Sequence, residues 1–273
     1  MINLKAKWAN GPYLLWIILF TVLPLLTVLY YAFTTKSGEF TFANFQSAFD
    51  YIPTLVNSMW LALIATVVCL VLAFPIAYII SRRRPSTQKF LIMLIMLPMW
   101  MNFLLRTYAL QELLETNGVI NTILGLFHIS PINFIGTGFA VVLGMVYNYL
   151  PYMILPLYSI MTKIETPIIE ASKDLGANWF NVLFKILLPL SVPGIVSGIT
   201  MVFVPCVSTF VISKMLGGSN FYLIGDVVES LFLGNSQNYQ AGSATSMILM
   251  IIVLVSMIIF SRIDSDKIEE ALA

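Results

Sequence analysis

The sequence is poor in charge. Asp, Glu, Lys and Arg make up 10% of its 273 residues, where a soluble domain carries about a quarter. It has one histidine, His128, and two cysteines, Cys69 and Cys206. The cysteines fall inside apolar runs and read as small buried hydrophobes rather than a disulfide or metal pair. His128 sits between glycine, serine and proline and reads as a solvated loop residue. No Gly-Lys pair occurs, so the G-x-x-x-x-G-K-[ST] phosphate loop is missing, as are HExxH, GxSxG and CxxC. The formal net charge of +1 gives nucleic acid or a polyanionic substrate no support. These gaps leave few candidates for catalysis and imply no catalytic residues, metal or cofactor. The apolar stretches also lack interior carboxylates, which weakens a proton-driven carrier as well.

What the chain has in excess is hydrophobic length. Apolar residues reach 59% and the mean hydropathy is +0.91, more than one core can absorb, so the surplus faces lipid. A spanning helix needs about 20 predominantly apolar residues. Six stretches qualify: 11–32, 57–80, 90–107, 139–161, 193–213 and 244–260. Lys5 and Lys7 precede the first. It is too long for a signal h-region and no small-x-small site follows it, so an uncleaved helix is expected. Arg106, at the end of the third, is expected to snorkel outward. The expected fold is an all-α integral membrane helical bundle with six transmembrane helices, one domain over 1–273.

Lys and Arg fix the orientation. With both termini cytoplasmic, the inner segments hold Lys5, Lys7, Arg82, Arg83, Arg84, Lys89, Lys163, Lys173, Lys185, Arg262 and Lys267. The outer ones hold only Lys36, Arg106 and Lys214. That bias is a positive-inside signal, and it reads Arg82, Arg83 and Arg84 as a topology determinant that touches anionic headgroups.

The inner loop over 163–189 is the most informative segment. Thr166-Pro167 reads as a helix start, with Thr166 as the cap. Glu170 lies early in that helix, where the dipole favours an acid. Gly176 is placed to end it, and Asn178 to cap a second short helix that Pro189 and Pro193 then break. Composition alone also suits an interfacial linker with Trp179 and Phe180 in the headgroups.

The spacing here resembles the permease subunits of bacterial ATP-binding-cassette importers, whose loop reads E-A-A, three residues, G, nine residues, I-x-L-P. This chain has Glu170-Ala171-Ser172, then Lys173-Asp174-Leu175, Gly176, nine residues, and Ile186-Leu187-Leu188-Pro189. Only Ser172 departs, and it is still small. From about Pro98 onward the chain resembles the B-type permease of spermidine/putrescine importers. The resembling stretches are LPMWMNFLLRTYALQELLETNGVIN, GMVYNYLPYMILPLYSIMTKIETPIIEASKDLGA and KMLGGSNFYLIGDVVESLFL.

The resemblance implies the type I importer permease fold in the bacterial inner membrane. It implies a polyamine cargo, spermidine or putrescine being left open, although another small solute or a non-conducting scaffold role remains an alternative. It makes the loop a coupling helix for an ATPase, carried by Glu170, Ala171, Ser172, Asp174, Gly176 and Pro189. The partners it implies are a homologous second permease, two ATP-binding-cassette ATPase subunits and an extracytoplasmic polyamine-binding protein. Polar and aromatic residues inside the spans are the candidate pathway: Trp100, Asn102, Tyr147, Asn148, Tyr152, Ser208 and Thr209, with Asp226 at the outer mouth. Aromatic faces attract ammonium groups, while belt or packing roles account for the same residue types.

Overall fold

The computed structural model describes residues 11–218, 221–235 and 237–272. Lys5 and Lys7 of the charge count, and Ser219 and Asn220 of the outer motif, lie outside them. Among the described residues every regular element is a helix, joined by turns and loops, with one isolated bridge between Thr34 and Phe40. Helix is the form expected of an open chain in hydrocarbon, because it satisfies its own backbone. The chain divides into two compact units, residues 1–53 with 227–252, and residues 54–226 with 253–273.

In the first unit, α1 (Gly11–Ala32) carries apolar side chains that are exposed along almost its whole length. It contains a π-turn, Ile18–Val22, just before Pro24, whose missing N–H interrupts the regular ladder. A short helix, α2 (Ala43–Phe49), follows. The small core joins Ala32, Ala48 and Ala244, flanked by Phe33, Phe45, Met247 and Ile248. Asn44 donates from Nδ2 to the carbonyls of Ala32 and Thr34, each at 3.0 Å, and so closes the end of α1.

The second unit begins with α3 (Ile52–Ser81), 30 residues long with Pro75 inside it, or about 45 Å of helix. After it come α4 (Pro85–Trp100), α5 (Phe103–Leu114), α6 (Val119–Leu126) and α7 (Gly138–Met161). The loop helices are α8 (Thr166–Asp174) and α9 (Trp179–Leu190). Then come α10 (Val192–Ser208) and α11 (Val211–Leu216). Two further helices, α12 (Ile224–Leu233) and α13 (Tyr239–Leu272), each run from one unit into the other.

Among the described residues four helices are long and apolar enough to span a membrane: Gly11–Ala32, Ile52–Ser81, Gly138–Met161 and Tyr239–Arg262. Counting each bent pair as one span gives up to six. The expected third span, 90–107, is not one straight helix. It breaks by 90° between Trp100 and Phe103, because Pro98 sits in a 3-10 turn over Leu97–Trp100 and Met101 is extended. The fifth is bent by 70° at Ser191, between Pro189 and Pro193 rather than at either one. It ends at Ser208, five residues short of the expected 213.

The core of this unit is α7 against α10. Met145, Met153, Ile154, Leu157 and Met161 are buried on one, and Val196, Val202, Phe203 and Cys206 on the other. Lipid tails are as apolar as these side chains, so packing and not transfer from water holds the pair. Close approach therefore matters, and Gly194 and Gly198 provide it. A Cβ on Gly194 would lie 3.1 Å from the Pro156 carbonyl, and one on Gly198 only 2.5 Å from Met153 Sδ and 3.4 Å from Met153 O. Gly198→Val should therefore lower stability by about 1–3 kcal/mol, as overpacked cores do. A thermal midpoint measured in detergent reads this, and Gly125→Ala, at an open position, should show no such loss.

Candidate functional site

The loop over 163–189 folds as two helices around a glycine. Helix α8 starts after Glu165, which is extended and makes no side-chain cap; Thr166 and Pro167 occupy the first turn. Thr166 is therefore not the cap, and its Oγ1 lies 3.5 Å from Arg82 Nη1 instead. The end of α8 follows the expected pattern. Gly176 has φ +82°, the Gly176 N–H donates to Lys173 O at 2.9 Å and the Ala177 N–H to Ser172 O at 3.0 Å. This is the Schellman arrangement. Nothing lies within 4 Å of a Cβ at Gly176, so the backbone angle, not crowding, calls for glycine.

Asn178 caps α9 as expected, its Oδ1 accepting from the Asn181 N–H at 2.9 Å. Helix α9 then loosens into a π-turn, Leu183–Leu187, ahead of Pro189, which cannot donate. Of α8 only Ile169 is buried, while Glu170, Ala171, Lys173, Asp174 and Gly176 are exposed and Leu175 is 89% exposed. The helix thus offers a free face that combines charged and apolar side chains.

The chain on both sides of α8 rests on the end of α3 and the residue after it. Arg82 donates from Nη1 to Ile164 O at 2.9 Å and from Nη2 to Met161 O at 3.1 Å. It also lies over the Tyr78 ring at 5.5 Å, and that ring meets Trp179 at 5.3 Å. Gln88, beside them, donates to Ser81 O and Arg83 O and accepts from Tyr158 Oη at 2.9 Å. Counting Arg82 as a topology charge missed this role. The sequence signal was its position one residue past the end of a span.

The candidate pathway residues separate into exposed and buried sets. Trp100, Tyr147, Tyr152 and Ser208 are exposed. Asn102 is the cap of α5, its Oδ1 accepting from the Leu104 N–H at 2.8 Å. Thr209 is buried at the end of α10. Asp226 is 3% exposed and accepts from the Leu223 N–H at 2.8 Å, so it belongs to the first turn of α12 and not to a solvated outer mouth. Tyr149 adds an aromatic ladder that the candidate set did not contain. Its ring lies 6.4 Å from Phe103 and 6.2 Å from Tyr152.

Asn148 is fully buried, and its partner corrects the expectation for Arg106. Arg106 does not snorkel outward. It is 6% exposed, donates from Nε to Asn148 Oδ1 at 2.8 Å and from Nη1 to Pro98 O at 3.2 Å, and lies 5.9 Å over the Phe103 ring. Asn148 Nδ2 in turn donates to Gly144 O and Thr107 Oγ1. Asn148 lies about 15 Å along α7 from its start, so the guanidinium is held deep in the chain. Asn148→Leu would strip a buried charge of its side-chain acceptor and should destabilise by about 1.5–3 kcal/mol. The double variant with Arg106→Leu should recover part of that loss, read as paired unfolding midpoints in detergent.

The comparisons agree with this architecture. A family model described as a binding-protein-dependent transport system inner membrane component matches residues 3–268. The spermidine/putrescine transport system permease protein PotB of Haemophilus influenzae is 36% identical over 258 residues, 90% of each chain. Its Escherichia coli counterpart is 35% identical over 93% of this chain and 97% of that protein. The inner membrane ABC transporter permease protein YdcU of Escherichia coli is 27% identical over 93% and 87%. Among solved structures, a bacterial ABC transporter that imports the acidic polysaccharide alginate superposes with a TM-score of 0.80, at 16% identity and 96% coverage of both chains; that likeness concerns the fold. By the extent of the family match and the identity to its relatives, the chain belongs to the inner membrane permease components of binding-protein-dependent transport systems.

Proposed function

We propose that this chain is a permease subunit of an ATP-driven polyamine importer, working as one permease domain and forming half of the pathway with a homologous second permease. The complex holds two ATP-binding-cassette ATPase subunits, one of which docks on the loop over 163–189 of this chain, and an extracytoplasmic binding protein delivers spermidine or putrescine. The observation that carries the reading is the exposed α8 helix, with Glu170, Ala171, Ser172, Asp174 and Gly176 presented before Pro189. The cargo is supported by the printed function of the relatives that share about a third of its residues.

ATP-driven closure of the partner pushes α8 and opens the pathway outward to the loaded binding protein; hydrolysis resets it inward. The ammonium groups of the cargo pass along aromatic faces, with Trp100, Tyr147 and Tyr152 as exposed candidates and the Phe103–Tyr149–Tyr152 ladder beside them. Asn102, Ser208 and Thr209 offer oxygen atoms near the ends of helices, while Asn148 and Asp226 hold the frame. Arg106 already rests on the Phe103 ring and repels a second cation there, which favours passage over tight holding.

Affinity purification in mild detergent should bring down a nucleotide-hydrolysing subunit, and cells carrying the chain should take up labelled spermidine in competition with unlabelled putrescine. A chain that stays alone, or uptake that neither polyamine competes, would sink the assignment. Tyr152→Leu removes one cation–π contact and should reduce uptake about fivefold while ATPase retention stays unchanged; normal uptake would make the ring a packing residue. Gly176→Val should uncouple hydrolysis from uptake with the spans still inserted, since the strain of about 1–2 kcal/mol is confined to the loop.

A further inference from the structure

The loop is covalently joined to α7 and to α9–α10, yet its side-chain anchors lie on a helix that it does not adjoin in sequence. We propose that Arg82 is the positioning residue that makes α3 the carrier of α8 motion, linking the coupling loop to the far end of the same unit. This rests on the coupling role proposed above and extends it to a span and a residue outside the loop.

Arg82 directly follows α3, and its N–H still donates to Tyr78 O at 3.3 Å, so the two side chains, four residues apart, lie on one face. Arg82 holds the entry of the loop through two carbonyls, Met161 O and Ile164 O. Tyr78 meets the chain on the other side of α8 through the Trp179 ring, at the start of α9. The helix between these two anchors, α8, is the exposed one. A load on α8 is therefore delivered at both ends to one helix. A planar fork is required to reach two different carbonyls at once, and the positive charge also suits the carbonyl end of α7.

At its other end α3 is fastened too. The buried Ile224 N–H donates to Ser58 Oγ at 2.8 Å. Ser58 and Arg82 are about 36 Å apart along the helix. Between them the helix is continuous from Ile52 to Ser81, with one backbone bond missing at Pro75. A stiff element fixed at both ends meets the physical requirement for carrying a two-state displacement.

The test uses the complex in nanodiscs with its ATPase and a spermidine-loaded binding protein. Arg82→Gln should retain the ATPase and its basal hydrolysis, but lose about fivefold or more of both the stimulated hydrolysis and the spermidine moved per ATP. Arg82→Lys, which keeps the charge but lacks the fork, should fall between. Arg83→Gln, an exposed neighbour, should match the unmodified chain, and Ser58→Ala should lower the same stimulation from the far end. Unchanged coupling in Arg82→Gln, an equal loss in Arg83→Gln, an unaffected Ser58→Ala, or loss of the ATPase from both Arg82 variants would each overturn the proposal. If the unmodified complex binds no ATPase or ignores spermidine, the proposed function fails instead. The clasp is then decided by spin labels at Arg83→Cys and Lys173→Cys, whose distance distribution should broaden in Arg82→Gln and would refute the clasp by staying the same.

Discussion

A bent helix in hydrocarbon exposes backbone groups that lipid cannot satisfy, and the arrangement of this chain follows from how those groups are met. The break after Trp100 frees carbonyls and opens a new helix start. Arg106 reaches back to Pro98 O, and Asn102 caps the amides of α5. Arg106 needs an acceptor of its own in a dry environment, which Asn148 supplies from the middle of α7. One set of contacts thus permits the bend, neutralises its polar cost and ties α5 to α7. At Ser191 the solution is local: the Ser191 N–H is shared between the Leu187 and Leu188 carbonyls, and Pro193 needs no donor partner at its position early in α10.

The loop over 163–189 obeys the opposite logic. Its α8 helix leaves charged side chains and Leu175 exposed together. Rigidity comes from short-range devices, the Schellman turn at Gly176 and the Asn178 cap. Position comes from long-range ones, Arg82 with the Tyr78 and Trp179 rings. Separating the two makes the loop a small body whose internal shape survives displacement. The coupling role proposed above requires that property, because a loop that deformed would absorb the push.

Much of this was legible from residue order. Hydropathy located the spans, since 11–32 and 139–161 lie within a residue of the helices Gly11–Ala32 and Gly138–Met161. The loop helices and their glycine followed from capping chemistry, which acts over a few residues and is written in adjacent letters. The bends were less legible, because Pro98 and Pro193 are compatible with a kink, a helix start or a packed span until neighbouring helices are placed. Arg82 and Arg106 were the least legible. Both were counted by sign alone, and sign gives the side of the membrane but not the acceptor. Their acceptors lie far off in sequence, Met161 being 79 positions after Arg82 and Asn148 42 positions after Arg106. Asp226 was misplaced for a related reason: an acid directly after a glycine between two spans reads as a loop, whereas here the start of a helix buries it.

Two arginines therefore do different work in one chain. Arg106 fixes α5 to α7 through a fully buried amide, and any change in that contact would have to pass through an unsatisfied charge, which is expensive. Arg82 lies at the edge of the core and is half-buried, but the carbonyls it binds belong to Met161 and Ile164, both buried. Releasing them would leave buried acceptors without a donor, which costs about 1–3 kcal/mol each. Arg106 thus joins two helices of the frame, whereas Arg82 joins the loop over 163–189 to the end of α3. Under the coupling role proposed above, a push on α8 would pass through the Arg82 contact into α3 rather than be absorbed there.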